Sequence, residues 1–224
     1  MTLVEWYTAR AGGLVAFGLL TLAVLAGLTL SGRAKLRYWP RFAVEDVHRF
    51  LGLLTAAFVA LHVLALFVDG YMPFSLTQLV VPGAAAYRPF ATALGIVAAE
   101  LLLALAVTNR YRRRLSYRFW RRAHYLNFAV WSFALVHGLL AGSDTGSEWA
   151  TAFYVGAAGA VGGLLARRLF VARQAGVEGR GAAVRPHPDR DCPTGSRGRS
   201  TSSRARRGRR TRSSAGTDRP VRSR

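Results

Sequence analysis

The chain has 224 residues, 51% of them hydrophobic, and a formal net charge of +20 from 31 basic and 11 acidic groups. That length holds one domain or a compact membrane bundle and leaves no room for a separate catalytic module of ordinary size. An ordinary soluble domain or a disordered chain rarely combines so much apolar material with so much charge, so the two must be segregated along the chain.

They are segregated. Residues 171–224 carry 15 Arg against four acidic groups, whereas residues 1–170 hold nearly all the apolar mass with 16 basic and seven acidic groups. A bilayer core takes roughly 20 apolar residues in helix, and five stretches approach that length. The first, residues 11–30, follows Arg10; it is too long for a signal-peptide core and lacks a small-residue cleavage site, so it counts as a span. The second covers residues 44–68. The loop after it, residues 70–89 with Pro73, Pro82, Gly83 and Pro89, reads as an irregular or re-entrant segment, with Leu79 to Val81 at the interface. The third span, residues 90–107, is interrupted by Glu100; the fourth covers residues 123–141 and the fifth residues 149–166.

Beyond Ala172 the Arg, Ser, Gly and Pro composition cannot bury enough apolar surface to fold, so the tail is expected to be disordered. Its Cys192 is the one cysteine of the chain, which excludes an intrachain disulfide, a Cys-ligated zinc, an iron–sulfur cluster and covalent haem attachment. The predicted fold is therefore all-α: an integral membrane bundle of about five helices in residues 1–170, followed by a basic tail in residues 171–224.

Basic residues are retained on the cytoplasmic side of a membrane. Arg33, Lys35, Arg37 and Arg41 join the first two spans, a run from Arg110 to Arg122 joins the third and fourth, and Arg167, Arg168 and Arg173 follow the fifth. The opposite segments carry Glu5 and Arg10, Asp69 and Arg88, and Asp144 and Glu148. The prediction is a multi-pass protein of the plasma membrane with its amino terminus outside and its carboxyl terminus in the cytoplasm. The Arg-rich tail then lies on anionic lipid; without stacking aromatics it is not expected to bind nucleic acid.

Four of the five histidines fall in two spans: His48 and His62 in the second, His124 and His137 in the fourth. His187, between two prolines in the tail, is set aside. An ionisable group within a membrane is costly and functional by default. One such histidine is as readily a core imidazole bonded to a neighbouring helix; two matched pairs are harder to dismiss. The pairs are 14 and 13 residues apart, which at 1.5 Å per residue is roughly 20 Å along each helix. Both spans start from the cytoplasmic side, so His48 is level with His124 and His62 with His137. Zinc wants about four ligands. Haem needs two axial ones, and one histidine from each helix at each level predicts two stacked bis-histidine b-type haems. At about 100° per residue, 14 positions bring His62 within roughly 40° of His48, but 13 leave His137 roughly 140° from His124. The fourth span must bend, rotate, or meet its partners from different flanks. Gly138, next to His137, leaves room for close haem approach.

The segments VHRFLGLLTAAFVALH (residues 47–62) and WRRAHYLNFAVWSFALVHGLLAGSD (residues 120–144), with this spacing, resemble the ferric reductase-like transmembrane domain. That domain is shared by ferric-chelate reductases, NADPH oxidases and the haem-bearing membrane subunit of the bacterial periplasmic methionine sulfoxide reductase system. The resemblance extends over roughly residues 1–170. It implies haem b bound axially by His48 with His124 and by His62 with His137, and transmembrane electron transfer as the function. Members commonly have six spans with both termini inside; here five are expected, as though the first were absent. Members that oxidise NADPH also carry a flavin- and nicotinamide-binding region, for which residues 173–224 offer neither strand periodicity nor a Gly-x-Gly-x-x-Gly turn. The implied role is a haem conduit with no flavin or NADPH site of its own. Its electrons come from a cytosolic flavin reductase or membrane quinol and pass to an external acceptor: ferric chelate, oxygen or a periplasmic reductase.

Other residues have competing readings. Arg49, Arg121 and Arg122 either pair with haem propionates or anchor the inner boundary. Glu100 either relays protons or contacts quinol, or faces a polar groove. Asn127 and Ser132 read as interhelical hydrogen-bonding groups. Phe58, Phe67, Trp120, Phe128, Trp131 and Phe133 either flank porphyrin or pack and anchor, and Asp144 reads as a solvated loop residue or a partner contact. Two further function classes stay open: a transporter or proton channel using the histidines and Glu100, and a structural or assembly subunit docking through its basic loops and tail.

Overall fold

The computed structural model describes residues 3–31, 40–70 and 74–183. The expected loop residues Arg33, Lys35, Arg37 and Pro73, and the tail from residue 184 with His187 and Cys192, lie outside the described residues. Every regular element described is helical. In order they are α1 (Leu3–Ser31), α2 (Arg41–Val68), α3 (Leu76–Val80), α4 (Pro89–Arg110), α5 (Tyr117–His124), α6 (Asn127–Ala141) and α7 (Glu148–Ala183). Four of them, α1, α2, α4 and α7, are long and apolar enough to cross a membrane, and the chain is a multi-pass membrane protein.

Their sequences explain them. Runs of Leu and Ala favour helix. Pro40 precedes α2 and Pro89 opens α4 at a position whose N–H has no helical partner. Arg88, just before it, takes a left-handed conformation with φ 40° and turns the chain into the helix. The loop before α4 contains one short helix, α3, closed by a capping box in which Ser75 and Gln78 each accept the other's backbone N–H.

The core is built around α1. Phe17, Leu20, Val24 and Leu28 of α1 meet Ala98 and Leu105 of α4, Val130 and Trp131 of α6, and Tyr154, Ala157 and Val161 of α7. At its centre Phe17 stacks on Trp131, with ring centres 6.1 Å apart, and tilts against Tyr154 at 5.3 Å. The Trp131 Nε1–H donates to Thr21 Oγ1 at 3.0 Å. Elsewhere the long helices turn large apolar side chains outward, Phe42, Leu53 and Leu103 among them, as expected where lipid replaces water outside the protein. α1 lies along α2, and α4 along α6, so two hairpins make up most of the bundle. At the end holding Asp144, Arg10 pairs with Asp144, Arg88 donates to Leu140 O, and Tyr87 donates to Ala141 O at 3.4 Å. At the opposite, arginine-rich end, Arg41 donates to Leu30 O at 3.2 Å and Arg168 donates to Ser31 Oγ at 2.5 Å.

Two features depart from the sequence reading. The stretch expected as a single fourth span is divided: α5 stops at His124, and α6 begins at Asn127 with only 15 residues, about 22 Å of helix. At the join Tyr125, Leu126 and Phe128 donate to the carbonyls three residues back, a tighter winding of about 120° per residue. Three such residues recover about 60° of the 140° misphasing between His124 and His137. The helix is thus interrupted and overwound between His124 and Asn127, although residues 125 and 126 are neither proline nor glycine. At the other end α7 continues to Ala183, past the boundary expected near residue 170. Ala, Arg, Gln and Glu there are good helix formers, and polar composition alone does not stop a helix already nucleated within the bundle.

Candidate functional site: two facing imidazole pairs

α2 and α6 run in the same direction, and with α5 they bring the four membrane histidines together in twos. His48 faces His124 with ring centres 6.0 Å apart and planes at 72°. His62 faces His137 at 6.4 Å and 76°. A metal–imidazole bond is about 2 Å and the bonded nitrogen lies about 1 Å from its ring centre, so two imidazoles on opposite sides of one metal have centres about 6 Å apart. Both pairs have that separation. Among the described residues no three His, Cys, Asp or Glu side chains converge to hold an ion by themselves; each pair offers two ligands.

The ring nitrogens are sorted by hydrogen bonding. Nδ1 of His48 lies 2.9 Å from Ala23 O, Nδ1 of His62 lies 2.6 Å from Ala9 O, and Nδ1 of His137 lies 2.8 Å from Ala91 O. A carbonyl only accepts, so in each case Nδ1 carries the proton and Nε2 keeps its lone pair for a ligand, the arrangement typical of metal-binding histidines. His124 is held differently. Its Nδ1 is 3.4 Å from the Asn127 carboxamide, which also donates to His124 O at 2.9 Å, and Trp120 stacks on its ring at 5.2 Å.

A cavity of about 250 Å³ lies at the His62–His137 pair. Thr55, Ile96, Val130 and Tyr154 wall it, and Arg10, Asp69 and Asp144 line it toward the Asp144 end. The apolar walls suit the flat apolar ring of haem; at the polar end Arg10 is already paired with Asp144, and Asp69 adds a second carboxylate.

The other residues singled out from the sequence divide. Trp120 joins the site as the stacking partner of His124, whereas Trp131 belongs to the packed core and bonds to Thr21. Asn127 bonds within its own segment and not between helices. Gly138 makes room for Tyr154, since a Cβ there would lie 2.5 Å from the Tyr154 hydroxyl. Glu100 is exposed on α4 and does not line the cavity. Arg49 is exposed and pairs with Asp46 at 3.8 Å, while Arg121 and Arg122 are also exposed. Asp144, read as a solvated loop residue, is instead largely buried against Arg10; the two are 134 positions apart, and no local pattern announces such a pair.

Comparison with curated proteins and with solved structures finds no match. The family model described as ferric reductase like transmembrane component matches residues 12–139, a stretch that is more than half of the chain and contains all four paired histidines. The chain therefore belongs to the ferric reductase-like transmembrane family.

Proposed function

We propose that this protein is the haem-bearing membrane component of a redox system. It holds one haem b between His48 and His124 and a second between His62 and His137, and carries single electrons from the cytoplasmic side of the plasma membrane to an acceptor outside. The observation that carries this reading is the pair of imidazole separations, 6.0 and 6.4 Å, each suited to a metal between the rings. Family membership supports it, since ferric reductase-like transmembrane domains are generally haem-binding.

When bound, haem supplies the one-electron couple. His48 and His124, and His62 and His137, would hold the group, and the apolar walls around Val130 and Ile96 exclude water from the second pair. Held by one histidine on each side, the group would pass electrons without a substrate having to bind the metal. The donor is a cytosolic flavin reductase or membrane quinol; the acceptor is ferric chelate, oxygen or a periplasmic reductase. α5 and α6 together make the crossing that α6 alone is too short for, giving five spans. The gathering of Arg41, the Arg110 to Arg122 run, Arg167 and Arg168 toward one end supports a cytoplasmic position for that end, and the basic tail then lies on anionic lipid.

A proton-conducting reading needs Glu100 beside the histidines, and Glu100 stands outside the cavity. The test is a dithionite-minus-oxidised spectrum of detergent-purified protein expressed with ample haem. Soret and α-band shifts are expected, with two haems per chain by pyridine haemochrome and one in His62→Ala. A protein without those bands, or an undiminished count in the variant, overturns the reading.

A further inference from the structure

Three of the four imidazoles dock on the same short pattern. The carbonyls that accept from Nδ1 belong to Ala9, Ala23 and Ala91, and four residues after each stands a glycine: Gly13, Gly27 and Gly95. In an α-helix the Cα–Cβ bond leans toward the amino terminus, so the side chain at position i+4 overhangs the carbonyl of residue i. That carbonyl already accepts the N–H of residue i+4 and has a second lone pair to offer. A ring nitrogen reaches it only if the overhanging side chain is missing.

The distances bear this out. A Cβ built on Gly13 would lie 3.1 Å from Nδ1 and Cε1 of His62, one on Gly27 3.3 Å from Cε1 of His48, and one on Gly95 2.6 Å from Nδ1 of His137. The spacing agrees as well. Ala9 and Ala23 are 14 residues apart on α1, as are His48 and His62 on the antiparallel α2, so one repeat on α1 meets both histidines of α2 in register. Among the described residues His124 has no such socket and relies on Asn127 and Trp120.

We propose that Ala9–Gly13, Ala23–Gly27 and Ala91–Gly95 are carbonyl sockets, positioning elements that fix the tautomer and rotation of His62, His48 and His137. The two sites are consequently unequal: both rings of the His62–His137 pair are socketed, and only one ring of the His48–His124 pair. A hydrogen bond donated from Nδ1 raises the basicity of the imidazole toward a metal, so losing a socket weakens the ligand and moves the midpoint potential of its own site upward.

The inference is tested by two measurements on the full-length protein. The first is redox potentiometry of Gly13→Ala, Gly27→Ala and Gly95→Ala, with Gly159→Ala and Gly163→Ala on α7 as controls, because a Cβ at either control position meets nothing within 4 Å. Gly13→Ala and Gly95→Ala are expected to shift the same one of two components upward, Gly27→Ala the other, and the controls neither. Socket variants that behave as wild type, or Gly13→Ala and Gly95→Ala acting on different components, overturn the proposal. The second uses no substitution: ¹⁵N-histidine spectra of haem-free wild-type protein are expected to show three Nδ1-protonated membrane imidazoles. Nε2-protonated rings at His48, His62 and His137 overturn the sockets even if every glycine variant misfolds. The potentials rest on the cytochrome reading and the tautomers do not, so a wild type lacking haem bands removes the former and leaves the ¹⁵N spectra to decide the sockets.

Discussion

Thr21→Val is expected to destabilise the bundle more than its isosteric shape suggests. Thr21 and Trp131 are buried, at 6% and 8% exposure, and form a short chain: the indole Nε1–H donates to Thr21 Oγ1 at 3.0 Å, and the hydroxyl donates to Phe17 O at 2.9 Å. Valine fills the volume of threonine but accepts nothing, so the indole N–H is left unmade among apolar neighbours, at a cost of about 1–3 kcal/mol. At about 1.4 kcal/mol per factor of ten, the folded-to-unfolded ratio should fall roughly 5- to 150-fold. Trp131→Phe removes the donor instead; the hydroxyl keeps its bond to Phe17 O, and the hydrogen-bonding loss is nearer the ~0.6 kcal/mol average for side-chain bonds in a membrane protein, to which the smaller ring adds a packing loss. The double variant should cost less than the sum of the singles, with a coupling of about 1 kcal/mol. Equilibrium unfolding in mixed micelles, followed by far-ultraviolet circular dichroism, measures all four corners. A Thr21→Val protein as stable as wild type, or strictly additive effects, would refute the reasoning.

Asp144→Asn should loosen the end of the bundle where Arg10 meets the loop before α7. Because the Asp144 side chain is only 14% exposed, the loss should sit at the upper end of the ~0.2–1 kcal/mol of surface pairs; faster hydrogen exchange over residues 143–151 reports it, and unchanged exchange counts against the pairing. Trp120→Leu removes the ring stacked on His124 and should alter the spectrum of one haem component while leaving the other as in wild type; equal changes in both would contradict a local role. In a Cys192→Ser background, a cysteine at Ser143 should react with membrane-impermeant maleimide added to intact cells and one at Arg113 only after lysis. The reverse pattern would invert the assigned topology.

Much of the site is legible in the sequence because helical rise is constant. Spacings of 14 and 13 on two parallel spans place four histidines at two levels, and the ring pairs follow. What local pattern cannot supply is the partner across space. The join at Tyr125 and Leu126 has no proline or glycine to announce it; tertiary packing of two rings on one strand of chain imposes it. Arg10 with Asp144 is invisible for the same reason, as is the shift of Asn127 from an interhelical role to a prop for His124. The Ala-x-x-x-Gly repeat on α1 stands in plain view, yet it has meaning only once α1 is known to lie antiparallel to α2 with residues 9 and 62 side by side. The end of α7 is missed because its arginines read as tail composition while they serve equally well in a helix.

The hairpin arrangement bears on biogenesis. Each facing pair takes one ring from the α1–α2 hairpin and the other from the segment after α4, so a chain emerging from the ribosome displays two half-sites, already docked on α1, before residue 124 has been synthesised. Cofactor capture is then a late event that welds the first-made half of the molecule to the second, and a nascent chain arrested between Arg110 and Tyr117 should be inserted, helical and colourless.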